Sequence, residues 1–369
     1  MFLTASHYFK PFNNKETTVK NTGYKRLFKL ALALALTGCA SNPAVKTDTP
    51  APTPNVATLP TERPAPEYPT QAVTGTYTGS PTVKNFIKHM VNTHGFSESY
   101  LTGLFAQAKR LDYVIRLENS QQYHGPKPVQ PKVGGWSRYR QQFLTEAHIN
   151  NGAAFWDNNA ESIQKASATY GVDPEYIVAI IGVETFFGRN VGKTRIFDAL
   201  TTLAFDTQRR AKFFATELEN FLLMTREEGY EPLQPVGSWA GAMGLGQFMP
   251  SSFRTLAVDF NSDGRRNLWD QCDAIGSVAH YFSRNGWQHK MQVAEQAKHY
   301  GGDSIIELSA VNGSEYWRVH PNFKVIKKYN NSDKYAMAVH QLAQAIKQRY
   351  MAVANNGQNS PNALTLLQK

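Results

Sequence analysis

The sequence predicts a mainly α fold, of α+β type only through a small β insertion. Three observations lead there. Apolar residues recur at helical spacing through most of the stretch from Val83 to Tyr350. Strand signals cluster in about residues 303–328, and no repeat of 20–50 residues organises the chain. Hydrophobic residues make up 41% and charged residues 18%, enough apolar surface for a real core, which excludes global disorder. No uninterrupted apolar run of about 18 residues is present, which excludes a polytopic membrane protein. Two cysteines exclude a disulfide-stapled scaffold and a multi-cysteine zinc site.

Lys25-Arg26 precede an apolar stretch from Leu27 to Leu36, and small residues surround Cys39. A basic flank, a short apolar run and small residues at the cut describe a secretory signal over 1–38. Leu36-Thr37-Gly38-Cys39 resembles the bacterial lipobox, which implies cleavage before Cys39 and lipid on its sulfur and new amino terminus. Ser41, rather than an acid, stands at the second position after Cys39, which points to the outer membrane. Residues 39–81 read as lipid anchor and tether: nine of the chain's 19 prolines fall in 41–81, among Thr and Ala. The formal charge of +10 owes much to 1–38, which hold six Lys/Arg and one acid. The remainder is only mildly basic; it suits an acidic polymer or surface and is a weak argument for nucleic acid.

From residue 82 to 350 one folded unit is expected. Val83, Phe86, Ile87, Met90 and Val91 predict a helix stopped by Gly95, and Ser97 caps a second. Further helices hold Ala211 to Leu222, Ile275 to Phe282, and about Ser332 to Tyr350. Ile305–Leu308 and Tyr316–Val319 flank Asn312-Gly313, a hairpin signal, and Phe323 to Ile326 is read as an added strand. Residues 351–369 read as a flexible tail. The remaining thiol, Cys272, is expected in the core.

Asp173-Pro174-Glu175 predicts a helix start, with cap, proline and acid in order. Ile177, Ile180 and Ile181 form one face, and three residues further along it stands Glu184. A carboxylate on an apolar stripe near a helix C-terminus should hold its proton unusually well, because burial and the negative helix end both disfavour its charge. That is the property of a general acid. The alternative is a rim glutamate paired with Arg189 or Arg195. Downstream, Ser238 to Ser252 contains three glycines, the hydrogen-bonding Ser238 and Gln247, and the flat faces of Trp239 and Phe248. That mixture suits a sugar cleft; it also suits a tight inter-helix turn.

The helix Asp173 to Gly188, the segments Phe205 to Phe214 and Gly241 to Phe253, and Trp136–Tyr139 and Tyr329–Val339 together resemble the membrane-bound lytic transglycosylase B family. The likeness spans roughly residues 82–350. It implies a lysozyme-like helical core and peptidoglycan as substrate. The bond cut would be the β-1,4 link from N-acetylmuramic acid to N-acetylglucosamine, with Glu184 as single acid/base and a 1,6-anhydro product. No cofactor is implied for the chemistry. Ser238 and Gln247 match residues that hold the reacting sugar. Tyr139, Arg209, Arg210, Tyr281, Phe248, Tyr329, Asn330 and Tyr335 are placed in the cleft. Arg209 and Arg210 also suit the carboxylates of a glycan strand. Implied partners are glycan strands, the outer membrane through lipidated Cys39, and cell-wall synthesis proteins, with the enzyme on the periplasmic face.

Asp259, Asn261 and Asp263 alternate, with Gly264 at the sixth position, like the front of an EF-hand loop. Arg265 would offer its carbonyl. Position twelve is Asp270 rather than a bidentate Glu; the family resemblance makes Asp273 the closing ligand of a longer loop, 259–273, for a structural Ca2+. Two other functions remain open on sequence grounds: a muramidase-type hydrolase that uses water, and a non-catalytic peptidoglycan-binding lipoprotein that needs no Glu184.

Overall fold

The computed structural model describes residues 72–120 and 134–357. The predicted signal peptide and Cys39 lie outside the described residues. The helices, in order, are α1 (Pro81–His94), α2 (Glu98–Ala106), α3 (Asp112–Ser120), α4 (Gly135–Arg140), α5 (Glu146–Asn158), α6 (Ala160–Tyr170) and α7 (Pro174–Thr185). They continue with α8 (Ile196–Phe205), α9 (Ala211–Glu228), α10 (Pro250–Leu256), α11 (Gln271–Arg284), α12 (Pro321–Tyr329) and α13 (Asp333–Gly357). A two-residue pair, β1 (Thr194–Arg195) with β2 (Val236–Gly237), and an antiparallel sheet of β3 (Ala294–Ala297), β4 (Ile305–Ala310) and β5 (Gly313–Val319) complete it.

Helix starts obey their local chemistry. Ser80 and Ser97 each accept a backbone N–H of the first turn, from Val83 and Tyr100. Pro81, Pro174, Pro250 and Pro321 open four helices, where a missing N–H costs nothing. Asp173 departs from expectation: it does not cap α7 with its side chain. Its carboxylate accepts the indole N–H of Trp287 at 2.9 Å and the backbone N–H of Lys290, binding the start of α7 to the segment after α11.

Helix α7 runs through the middle of the core. Every residue from Glu175 to Thr185 is buried. Such a helix has no solvent face and belongs at the centre of a core. The helices α5, α6, α11 and α13 pack around it. Gly182 makes its exit possible, since a Cβ there would lie 2.6 Å from the Phe187 ring. Phe186, Phe187 and Gly188 all take positive φ (50°, 60° and 82°), an abrupt reversal immediately beyond Glu184. Two phenylalanines in the left-handed region are strained and need enforced surroundings. Thr185 supplies part of them: its hydroxyl donates to the Leu245 carbonyl and accepts from the Gly188 N–H, both at 3.0 Å.

Four expectations need correction. Phe323 to Ile326 is not a strand; it lies inside α12, because Pro321 opens a helix and Phe323, Val325 and Ile326 turn to the core. The small sheet therefore ends at Val319, and it begins earlier than the strand signals suggest, with β3 pairing Ala294 to Val319. The hairpin turn is Val311-Asn312, since Gly313 already pairs with Ala310. Both ends of the folded unit extend further than predicted. Tyr77 is buried and donates to Asp206 at 2.8 Å, which holds residues that composition assigns to the tether, and α13 runs to Gly357 into the predicted tail.

Candidate active site

Glu184 is 6% exposed at the C-terminal end of α7. Its partner comes from the far end of the chain: the Tyr335 hydroxyl donates to Glu184 Oε1 at 2.6 Å. Burial pushes the Glu184 carboxyl up from an ordinary 4.5 to about 7, and the Tyr335 hydrogen bond pulls it partly back. The rim-pair alternative fails, since Arg195 is bonded to Asp198 at 2.7 Å and Arg189 lies over the Phe186 ring. The carboxyl is thus desolvated without a compensating cation among the described residues.

Tyrosines surround it. Burial, then the Glu184 charge, raises the hydroxyls of Tyr139 and Tyr329 above the ordinary range, and the same two causes act on Tyr335. Tyr139 is held on α4, which the sheet supports: Trp136 donates to Glu315 at 3.0 Å and Val311 N–H to Ser137 at 3.2 Å. The Tyr329 hydroxyl donates to the Gly246 carbonyl, and the Tyr281 ring lies 4.7 Å from that of Tyr329.

The glycine-rich stretch forms one wall. Met243 and Phe248 exchange both backbone hydrogen bonds, and Leu245 N–H donates to the Leu268 carbonyl at 2.8 Å. The glycines serve approach to the protein itself: a Cβ at Gly244 would meet the Leu268 carbonyl at 2.2 Å, and one at Gly241 the Leu200 side chain at 2.5 Å. Phe248 is not an open platform either. It is buried against Tyr281 and Tyr329. Ser238 Oγ accepts the N–H groups of Ala240 and Ala242. Its hydroxyl hydrogen has no acceptor among the described residues. Gln247, strained at φ 52°, donates its amide to the carbonyls of Gly244 and Val191. Asn330 Oδ1 is buried with no hydrogen-bond partner among the described residues.

Arg209 and Arg210 are brought together, but by Glu118, which is fully buried on α3. Arg209 lies 3.0 Å from one carboxylate oxygen, and Arg210 engages both. Much of their charge is therefore spent inside the protein.

A family profile described as the transglycosylase SLT domain (SLT_2) matches residues 78–305 and 301–344. The chain belongs to this transglycosylase family. Membrane-bound lytic murein transglycosylase B of Escherichia coli K12 is 43% identical over 350 residues, covering 86% of this chain and 96% of that protein. The solved E. coli lytic transglycosylase Slt35 in complex with calcium is 43% identical at TM-score 0.70, covering 76% of this chain and 97% of its own. Pseudomonas aeruginosa SltB3 in complex with NAG-anhNAM-pentapeptide is 26% identical at TM-score 0.62, covering 73% and 80%. The resemblance read from sequence holds, as does the mainly α, lysozyme-like fold. The chain is an enzyme of the lytic transglycosylase class.

In this transglycosylase the oxygen-rich loop folds as a set of turns. Asp259 accepts the N–H groups of Asp263 and Gly264, and Asp263 accepts that of Arg265. Asn261 donates to Asp263 at 3.2 Å. Gly264 takes φ 88°, as a sharp turn requires. Asp273 is fully buried, its oxygens accepting the N–H groups of Phe260, Asn261 and Asn267. Asp270 instead caps α11 through Cys272 and Asp273 N–H.

Sequence reasoning missed several buried carboxylates, Glu118 and Glu217 among them. Glu118 stands one helical turn after the fully buried Val114, the same signal that singled out Glu184. Glu217 accepts the Ser251 N–H and hydroxyl at 2.9 and 2.6 Å, fixing α10 to α9.

Proposed function

We propose that this lytic transglycosylase cleaves the β-1,4 bond between N-acetylmuramic acid and N-acetylglucosamine in peptidoglycan, with Glu184 as its only acid/base. One observation carries the reading: a carboxyl buried at a helix C-terminus whose hydrogen-bond partner is the Tyr335 hydroxyl, with no cation beside it among the described residues, so that burial pushes it up to about 7. Near neutral pH such a group gives up and regains a proton at similar cost. In the first step the Glu184 proton passes to the glycosidic oxygen, the C1–O bond breaks, and the N-acetylglucosamine hydroxyl leaves. The muramic ring carries oxocarbenium character. Glu184, now a carboxylate steadied by the Tyr335 hydroxyl, takes the proton of the C6 hydroxyl. O6 then bonds to C1, the acid is restored, and no water is consumed. A two-carboxylate glycosidase would need a second acid near the first; the groups that act on Glu184's proton here are burial and one tyrosine.

The half-exposed Ser238 and Gln247, the open acceptor of Asn330, and Tyr139 are assigned to the sugar hydroxyl and acetamido groups. Arg209, 40% exposed, is the better of the two arginines for a glycan carboxylate. The relative's complex with a NAG-anhNAM-pentapeptide supports the anhydro product.

The loop's donors fit a hard cation: Asp259, Asn261, Asp263, the Arg265 carbonyl and Asp273 supply only oxygen. They would hold Ca2+, which would stiffen the connection from α10 to α11 and take no part in the reaction. The calcium complex of Slt35 supports this. No described helix is long and apolar enough to cross a membrane. Attachment to the outer membrane is assigned to lipidated Cys39, with the enzyme facing the periplasm.

Mass spectrometry of products from purified sacculi tests the proposal, using the detergent-solubilised full chain with Glu184→Gln as control. Products one water lighter than reducing muropeptides, seen only with the unaltered enzyme, are expected. Reducing ends would replace intramolecular closure with hydrolysis. Sacculi bound but not cut would leave a tethering role.

A further inference from the structure

We propose that His89, His94 and Glu219 form a binding site for a divalent transition-metal cation of the Zn2+ type, tying α1 to α9. Among the described residues, this is the trio of His, Cys, Asp or Glu whose ligand atoms all lie within 4.8 Å of one another. His94 Nε2 is 2.7 Å from Glu219 Oε1, and His89 Nε2 is 3.3 Å from Glu219 Oε2. Ligand atoms on a tetrahedral zinc with bonds of about 2.1 Å stand about 3.4 Å apart. The three atoms therefore need only small rotations to close on one ion.

The surroundings hold the ligands in place. His89 Nδ1 is 3.2 Å from the Thr93 hydroxyl. When Nδ1 donates there, the Nε2 lone pair is free for a metal, which is how a histidine ligand is usually oriented. The backbone at His94 is held against α9 by Arg226, whose guanidinium donates to the His94 carbonyl at 2.7 Å and lies over the Phe96 ring. Glu219 and Arg226 are seven residues apart and so share one face of α9. The three ligand side chains are 46%, 21% and 26% exposed, so an ion can enter and keep water as a fourth ligand. Two imidazole nitrogens select against Ca2+ and favour Zn2+ or its neighbours. The site lies on helices that carry none of the catalytic groups, and its role is to staple the first helix of the folded unit to α9.

The test is calorimetric titration of Zn2+ into the metal-stripped, detergent-solubilised full chain, with excess Ca2+ present to occupy oxygen sites. One Zn2+ per chain is expected, with affinity falling at least about tenfold in His94→Ala and in Glu219→Gln. His89→Ala, at the most exposed ligand, provides the variant least able to disturb folding and should lose affinity similarly. Co2+ in place of Zn2+ should give the visible absorption of a four-coordinate ion, absent from His94→Ala. Failure to bind Zn2+, or binding unchanged in His89→Ala and His94→Ala, would overturn the site.

Discussion

Glu184 and Glu118 are both glutamates near the C-terminal end of a helix, both buried, and opposite in what faces them. Glu118, at the end of α3, meets two guanidinium groups. Glu184, at the end of α7, accepts one hydrogen bond, from the Tyr335 hydroxyl, lies near Tyr139 and Tyr329, and meets no cation among the described residues. Burial alone therefore does not mark an acid catalyst. What marks it is burial left uncompensated, which raises the cost of the charge and keeps the proton available. The first glutamate holds helices together; the second keeps a proton near neutral pH.

Substitutions sharpen that contrast. The largest effect is expected from Glu184→Gln, which keeps the shape and the Tyr335 contact but cannot transfer a proton. Turnover of sacculi should fall on the order of 10³-fold or more. Stability should move the other way. With a folded value raised from 4.5 to about 7, the Glu184 contribution is fully present below 4.5 and is lost as pH rises through about 7. Gln carries no such penalty, so at pH 8 the variant should be more stable by up to about 3 kcal/mol, with the gain vanishing near pH 4.5. Denaturant unfolding at the two pH values measures this.

Glu118→Gln should give the reverse pattern. Removing the charge between Arg209 and Arg210 should cost about 2 kcal/mol, less than for a fully enclosed pair because both arginines reach solvent. Turnover per folded molecule should change far less than in Glu184→Gln. Equal losses of turnover in the two variants would break the contrast.

Tyr335→Phe is expected to have the smallest effect. It removes the hydrogen bond that lowers the Glu184 value, so the descending limb of the pH–rate profile should shift upward from about 7. The rate should fall roughly tenfold, the carboxylate having lost its donor. A lower rate with an unmoved limb would place Tyr335 in packing alone.

Local features are the ones legible in the sequence. Ser97, Pro174 and the stripe Ile177–Ile180–Ile181–Glu184 act within one or two turns, so spacing predicts them. Glu118 carries the same local signal after Val114, but only the fold shows which cations meet it, 91 and 92 residues later. Tyr335 is reached through family resemblance; its bond to Glu184 spans 151 residues and comes from the packing of α13 on α7. Phe323 to Ile326 misleads because a short apolar run fits either period, and Pro321 decides it. Tyr77 is hidden by its proline-rich neighbourhood, while its anchor, Asp206, lies far along the chain. The glycines of 241–246 are legible as close approaches, but not that the approached atoms belong to Leu200, Leu268 and Tyr329.

A carbon-13 NMR titration of the glutamate side chains tests most directly whether Glu184 keeps its proton near neutral pH, with Glu184→Gln assigning the resonance that disappears. A Glu184 carboxyl titrating near pH 7 is the predicted result. Titration at or below 4.5 would show a compensated charge, and the case for Glu184 as acid and base in one would fail.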